Sequence, residues 1–241
     1  MSLSGQVVLV TGASRGLGFA LAELMAQQEA IVIMCARDES RLMAAREDLD
    51  QRYPAIKKHI YALDLADNEQ VARMFEDIDT MFGRLDVCIN NAGYLESAAF
   101  VETDPSLWQR VIDNNLTTCY LSCYHAFKLM QLTMQHNAIV NVSSLSGVQG
   151  VSKFSGLSAY AASKAAIIGL SESLAQEGAA YHIQVNCIAP GSMNTQSMRD
   201  KFPDLSISTQ PMDIAKQILP LIDVSPSGLV TGKVLEVYCN D

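Results

Sequence analysis

The chain has no uninterrupted apolar stretch approaching the ~18 residues that a membrane-spanning helix needs, so none is expected in its 241 residues. Its first residues, MSLSGQVVLVTG, lack a basic segment followed by an apolar run and a small-residue cleavage site. They read as the start of a strand and not as a secretion signal. No Pro/Gly-rich linker, repeat or low-complexity tract breaks the sequence, which points to one domain over residues 1–241. There is no C-x-x-C pair, and the four histidines, His59, His125, His136 and His182, form no cluster and stand at no metal-ligand spacing from a cysteine. No metal site is expected. The six cysteines sit mostly inside apolar runs and read as buried free thiols, which suits a reducing, cytoplasmic setting. Positive charge is also scarce: 17 Lys+Arg against 26 Asp+Glu leave a net charge of −9. That balance argues against nucleic-acid phosphate as a main partner. What is abundant is apolar residues, 49% of the chain against 18% charged, enough for a large core.

Short apolar runs rich in β-branched residues alternate with helical patterns. QVVLVTG precedes LGFALAELMAQQE, AIVIMCAR precedes DESRLMAAREDLDQRY, and KHIYALDL precedes NEQVARMFEDIDTMFG. LDVCINNAG precedes a long segment from Pro105 to about Gln135, and AIVNVSS leads to a helix from about Tyr160 to Ala179. IQVNCIAPG, a helix near Met212 to Leu221, and KVLEVY close the series of seven strands. Such alternation predicts right-handed crossovers and a doubly wound α/β fold of the Rossmann kind, a seven-stranded parallel sheet with helices on both faces. Ligands of such sheets sit beyond the carboxyl ends of the strands, where strand order reverses. The residues just after each strand are therefore the informative ones.

After the first strand comes T-G-A-S-R-G-L-G, residues 11–18. Gly12, Gly16 and Gly18 suit a tight turn, close backbone approach to a pyrophosphate and close packing of helix on sheet, and the helix that follows offers its N-terminal N–H groups to the anion. The spacing is neither G-x-G-x-x-G nor a P-loop, since no Gly-Lys-Ser/Thr follows. A binder that prefers a free ribose 2′-OH places an acidic residue at the end of the second strand. Here Arg37 stands there, with Asp38 only after it, and Arg15 lies inside the glycine turn. Two guanidinium groups suit a 2′-phosphate, so NADP(H) is expected over NAD(H).

Tyr160 and Lys164 are four residues apart, one turn from each other on one side of a helix. Alone they read as an ordinary amphiphilic pair. With the glycine turn upstream, N90-N-A-G93 after the fourth strand and P190-G-x-x-x-T195 after the sixth, the sequence closely resembles the short-chain dehydrogenase/reductase family, in its single-domain subgroup of roughly 250 residues. Four motifs occur in order, and the resemblance covers nearly the whole chain, weakest from about Gln196 to Pro211.

The resemblance implies an enzyme that interconverts a carbonyl and a secondary alcohol by hydride transfer with NADP(H). It implies cofactor contacts at Gly12, Ser14, Arg15, Gly16, Leu17, Gly18 and Arg37, at Asp64 and Leu65 beside the adenine, and at Asn91, Ala92 and Gly93 on the adenosine side. Asn90 is expected to tie the central strands together. Pro190, Gly191, Met193 and Thr195 belong to the fourth motif, with Met193 and Thr195 bracketing the nicotinamide carboxamide, and Tyr160 and Lys164 also touch the cofactor. Catalysis falls to Asn115, Ser144, Tyr160 and Lys164. Asn114 is the alternative to Asn115. The segment N141-V-S-S-L-S-G147 offers Ser143, Ser144 and Ser146, of which Ser144 aligns best counting back from Gly147. The stretch from Ser144 to Tyr160 is a few residues longer than usual in the family, through an insert around VSKFSG.

Tyrosine, with an ordinary pKa of about 10, needs help to act near neutrality. The Lys164 ammonium and the nearby helix N-terminus are expected to lower it, Ser144 to hold the substrate oxygen, and Asn115 to position a water that relays protons through Lys164. Residues 196–211 are expected to form a substrate lid, short and mobile, with Met198 and Phe202 as apolar contacts. One rival is a 3-oxoacyl-[acyl-carrier-protein] reductase. The helix ends LTMQHNA and QEGAAYHI, without Arg or Lys, speak against so acidic a partner and favour a small-molecule carbonyl or alcohol. Another is a cofactor-binding regulator without activity, against which stand the four retained catalytic positions. A homodimer or homotetramer is implied by the family, with Ala162, Ala165, Ala166 and Gly169 either packing against a copy or letting their helix sit close to its own sheet. The ending LEVYCND lacks the Asp-Gly-Gly common in the family, which favours the dimer.

Overall fold

The apolar runs at the centre of the sheet become strands buried on both sides, while the two edge runs, Lys58–Ala62 and Val234–Val237, are largely half-buried. The computed structural model describes residues 3–225 and 230–239; the last two residues of LEVYCND lie outside that range. In chain order the elements are β1 (Val7–Thr11), α1 (Gly16–Gln27), β2 (Ile31–Ala36), α2 (Glu39–Arg52), β3 (Lys58–Ala62), α3 (Asn68–Phe82), β4 (Val87–Asn90), α4 (Pro105–Ile112), α5 (Thr118–Thr133), β5 (Asn137–Val142), α6 (Ser158–Gly178), β6 (Ile183–Pro190), α7 (Gln196–Lys201), α8 (Pro211–Lys216) and β7 (Val234–Val237). All pairings are parallel. The order is β3-β2-β1-β4-β5-β6-β7, as expected for the doubly wound sheet.

Alternate strand residues feed two cores. Val8, Val10, Val32 and Met34 pack on one face with Leu21 and Met25 of α1, Leu42 and Leu49 of α2, and Ile214 of α8. Val7, Leu9, Ile33 and Cys35 pack on the other with Met74 and Ile78 of α3, Met130 of α5 and Ile167 of α6. Caps fix the helix ends: the Asp67 carboxylate accepts from the N–H groups of Glu69 and Gln70 at the start of α3, and Gly83, at φ 62°, ends it. Among the described residues no helix is long and apolar enough to cross a membrane.

Four expectations are refined. The segment from Pro105 is two helices joined by a π-helical turn at Asp113–Thr117. The helix placed near Met212 to Leu221 ends at Lys216 and is followed by a 3₁₀ turn at Leu219–Leu221. The segment after Thr195 holds a short helix, α7, because the Thr195 hydroxyl accepts from the Met198 N–H. Ala162, Ala165 and Gly169 lie on the exposed side of α6, so they do not serve to seat that helix on its own sheet.

A polar thread runs through the second core. Asn90 stands opposite Asn141 in the β4–β5 register, and its Nδ2 donates to Asn141 Oδ1 at 2.9 Å. Asn141 Nδ2 donates to Ser171 Oγ at 2.9 Å, which donates to the Ile167 carbonyl at 2.7 Å. Asn90 thus ties the central strands together and fixes them to α6. Replacing Asn141 with Leu leaves the buried Asn90 amide without its oxygen partner, which costs about 2 kcal/mol. Thermal unfolding should show Tm lower by roughly 4–8 °C; an unchanged Tm would mean the thread adds nothing to stability.

Candidate active site

Strand order reverses between β1 and β4, and a crevice opens beyond their carboxyl ends. Its first part is a cavity of about 390 Å³ lined by Gly12, Ser14, Arg15, Gly16, Leu17, Gly18, Arg37, Asp64, Leu65, Asn91, Ala92, Gly93 and Thr195, among others. The glycines answer to space. A Cβ on Gly18 would stand 2.1 Å from the Gly12 carbonyl oxygen, and one on Gly12, at φ +66°, would stand 2.9 Å from Ala92 Cα. The two turns are clamped by Thr11, whose Oγ1 accepts from the N–H groups of Asn91 and Ala92, both at 3.0 Å. Asn91 Nδ2 donates back to the Thr11 carbonyl at 2.9 Å. At the mouth of this cradle the N-terminus of α1 has no side-chain cap and no acidic residue in its first turn. Its N–H groups and dipole therefore face a cavity that suits an anion, and the donor set fits the pyrophosphate of a dinucleotide.

At the far end Arg37 donates from Nη1 to Asn114 Oδ1 at 2.7 Å. Asp38 is turned to its own helix: it caps α2 by accepting from the Arg41 N–H at 3.0 Å and pairs with the Arg41 guanidinium at 3.1 Å. Arg15, Arg37 and Arg41 line one cavity wall. Arg41 escaped the sequence reading; the signal for it was its place in the first turn of the helix that follows the second strand. Asp64 Oδ1 accepts from the Ala66 N–H at 3.0 Å, which fixes the turn that carries Leu65.

The crevice continues into a second cavity of about 570 Å³ that contains Ser144, Tyr160 and Lys164, together with Pro190, Gly191 and Met193. Leu17, Asn91, Gly93 and Thr195 line both parts. The three candidate serines separate by their partners. Ser143 Oγ donates to the Lys164 carbonyl at 2.7 Å and is structural. Ser144 caps a 3₁₀ turn, accepting from the Ser146 N–H at 3.1 Å, and its hydroxyl is near enough to the Tyr160 phenol to act on its pKa. Ser146 lines the same cavity and exerts no such effect on Tyr160.

Lys164 Nζ is buried, donates to the Val142 carbonyl at 2.8 Å and lies over the Tyr160 ring, 5.7 Å from its centre. Burial pushes its pKa down from 10.5 to about 8. The Tyr160 pKa moves up from its ordinary value: burial raises it, and the Ser144 hydroxyl opposes that in part. The expected lowering of the phenol by Lys164 is thus not what this arrangement produces. Withdrawal from water disfavours phenolate and ammonium alike, and the ammonium is directed to a sheet carbonyl.

Asn115 sits in the π-helical turn, fully buried. Its Oδ1 accepts from the Tyr94 N–H at 2.9 Å, while its Nδ2 donates to the carbonyls of Tyr94 and Val111 at 2.8 and 3.0 Å. Its amide is a brace for the turn after β4. A Cβ on Gly93 would lie 3.0 Å from Asn115 Oδ1 and 3.4 Å from Lys164 Nζ, so that glycine lets both approach. Asn114 faces the other cavity. Thr195 caps α7 and Gly191 N donates to the Val237 carbonyl at 2.9 Å, which brings Tyr238 and Cys239 into the second cavity. Those two, with Tyr94, Phe154 and Leu157, were missed, since only the folded chain brings them there. Five cysteines are buried as expected, but Cys239 is half-exposed in this wall.

Known proteins agree with this geometry. The family model for short chain dehydrogenases matches residues 6–206. A 3-oxoacyl-[acyl-carrier-protein] reductase of Chlamydia muridarum is 32% identical over 98% of this chain and 96% of its own length. A 3beta-hydroxysteroid dehydrogenase of Mediterraneibacter gnavus is 34% identical over 95% of this chain and 80% of its own. Among solved structures, ElxO with NADP bound superposes with a TM-score of 0.86 at 29% identity, over 97% of each chain. The actinorhodin polyketide ketoreductase with NADPH does so with 0.86 at 28% identity, over 98% of this chain and 96% of that one. A dinucleotide cradle, a Tyr–Lys pair beside it and sequence identity over nearly the full length converge, and the chain belongs to the short-chain dehydrogenase/reductase family of oxidoreductases.

Proposed function

We propose that this protein interconverts a carbonyl and a secondary alcohol with NADP(H), with Tyr160 as general acid and base. The observation that carries the reading is the placement of Ser144, Tyr160 and Lys164 on one cavity that runs on into the dinucleotide cradle. When bound, the cofactor supplies or accepts the hydride. Ser144, which lines the same cavity as Tyr160, donates to the substrate oxygen and holds it beside the phenol. In reduction the carbonyl π bond breaks, its carbon gains the hydride and its oxygen takes the Tyr160 proton. The raised pKa keeps that proton on Tyr160 until charge builds on the substrate oxygen. The Lys164 ammonium lies 5.7 Å from the centre of the ring that then carries the charge. Asn115 keeps the Tyr94 turn and Gly93 in register beside Lys164. Residues 196–211 act as a lid, with Met198 and Phe202 on the cavity wall.

NADP(H) over NAD(H) is supported by Arg15, Arg37 and Arg41 on one wall, by Asp38 being engaged with its own helix, and by structural neighbours that hold NADP or NADPH. An acyl-carrier-protein substrate has the support of relatives so named. Against it stand the net charge of −9 and the cation-free helix ends LTMQHNA and QEGAAYHI.

Tyr160→Phe should lower the rate of carbonyl reduction at least about a hundredfold while NADPH binding, read by fluorescence titration, stays near the wild-type value. Arg37→Asp should weaken NADPH binding by about tenfold or more and move preference towards NADH; an unmoved preference would remove the 2′-phosphate assignment. Lys164 is an ammonium below its pKa and neutral above it. The rate of reduction, measured at saturating NADPH, should therefore fall as pH rises through about 8, and Lys164→Met should be slow at every pH, without that limb.

A further inference from the structure

The loop between the 3₁₀ turn Leu145–Gly147 and α6 is the stretch that the sequence shows as an insert, and the structure fastens it at two points. Lys153 folds its ammonium back over the 3₁₀ turn that Ser144 caps, donating to the carbonyl of Leu145 at 3.3 Å and to that of Val148. Further on, the Ala98 N–H donates to the Gly156 carbonyl at 3.0 Å, and Gly156 holds φ +79° with Ser97 Oγ 2.7 Å from where a Cβ would stand. Between these two fixings Phe154 is held with 63% of its surface exposed, on the wall of the cavity that contains Tyr160. An aromatic ring held in water at a cavity wall gains when an apolar molecule covers it. The same cavity is lined by Met198, Phe202 and Leu205 of the segment after Thr195.

Charge points the same way. Among the described residues Lys164 is the only charged side chain on this cavity wall, and its ammonium is committed to the Val142 carbonyl and the Tyr160 ring. The cations near the rim are engaged as well. Lys153 is on backbone carbonyls, Arg199 donates to the side-chain oxygens of Asn194 and Gln196, and Lys201 lies over the Tyr94 ring at 6.0 Å. Among the described residues no unengaged cation lines this wall, so a carboxylate or phosphate brought there would lose water and meet hydroxyl groups but no counter-charge.

We propose that the carbonyl substrate is an uncharged ketone with a bulky apolar body, gripped between Phe154 and the lid, and that Lys153 is the residue that positions Phe154. The inference rests on the carbonyl-reductase reading above and names the substrate class for that same site. A volume of about 570 Å³ accommodates a fused-ring ketone as well as a small one.

The test compares 1-decalone, cyclohexanone, 4-oxocyclohexanecarboxylate and acetoacetyl-coenzyme A as substrates with NADPH. The expected order of kcat/KM puts 1-decalone at least about tenfold above cyclohexanone, from the added apolar carbons, and the two anionic substrates below it. Phe154→Ala should cut the decalone-to-cyclohexanone ratio about tenfold through KM, with kcat on decalone little changed. Calorimetric titration should show the decalone complex of the wild type forming with a negative heat-capacity change that is smaller in Phe154→Ala. Lys153→Met should raise the KM for decalone in the same way, and Lys153→Arg should restore it. Preference for the carboxylate or the acyl thioester, or equal losses on both neutral ketones in Phe154→Ala, would overturn the inference and leave the reductase reading in place. Turnover of none of the four while NADPH binds would overturn the reductase reading itself, and this inference with it.

Discussion

Lys164 carries an ammonium into a wall made of sheet backbone and small side chains, and much of the surrounding structure is arranged to hold it there. Its Nζ is met by the Val142 carbonyl at the end of β5, and its own carbonyl by the Ser143 hydroxyl. Gly147 packs so closely on its backbone that a Cβ would stand 2.5 Å from the Lys164 carbonyl carbon. Gly93 clears the other side. The protein tolerates a group whose pKa has come down from 10.5 to about 8, a shift on the order of 3 kcal/mol against the charged form. The sign matters: between those two values the unfolded chain binds more protons than the folded one, so stability rises with pH in that window, and below it the penalty is fully present. At neutral pH the fold therefore holds strain at this position, as functional sites often do.

The same economy of space governs the cradle. Thr11 ends β1 and joins the turn after it to the turn after β4 through one hydroxyl that accepts two N–H groups. Because Gly12 and Gly18 nearly touch, the N-terminus of α1 is held against the strand ends, and no side chain caps it. A polar thread at the next level down, Asn90 to Asn141 to Ser171, keeps β4 and β5 in register and locks α6 to them. The glycine cradle and the Tyr–Lys pair thus sit on elements whose relative position is set by buried amides, a more directional constraint than apolar packing alone.

How much of this was legible follows from what kind of signal each part carries. The seven strands and the parallel sheet could be read because double-sided burial writes continuous apolar runs, and the motif residues because they follow strand ends. The structure puts Ser144 near Tyr160 and buries Asn115 beside Gly93 and Lys164, while Ser143 turns to the Lys164 carbonyl and Asn114 lines the other cavity. What the sequence hid was relational. Tyr238 and Cys239 enter the cavity only because β7 pairs with β6. Arg41 joins Arg15 and Arg37 only once α2 is placed. The direction of the Tyr160 shift could not be read from a four-residue spacing, since that spacing reports the nearness of a cation and is silent on how much water both groups lose.

Resemblance to named enzymes does not settle what enters the second cavity. Acyl-carrier-protein reductases and hydroxysteroid dehydrogenases both match at about a third identity across nearly the whole chain. The cradle and the Tyr–Lys pair serve, in the proposed reaction, the cofactor and a carbonyl of any kind. Discrimination between substrates has to come from residues that do not touch the reacting bond. In this chain the lining beyond the Tyr–Lys pair combines apolar side chains with hydroxyl groups, and the nearby cations are occupied with carbonyls, amides and a ring. A protein of net charge −9 with such a cavity offers an anionic partner neither long-range attraction nor a counter-charge at the end of the approach. An uncharged apolar molecule, by contrast, gains from every side chain it covers, beginning with Phe154.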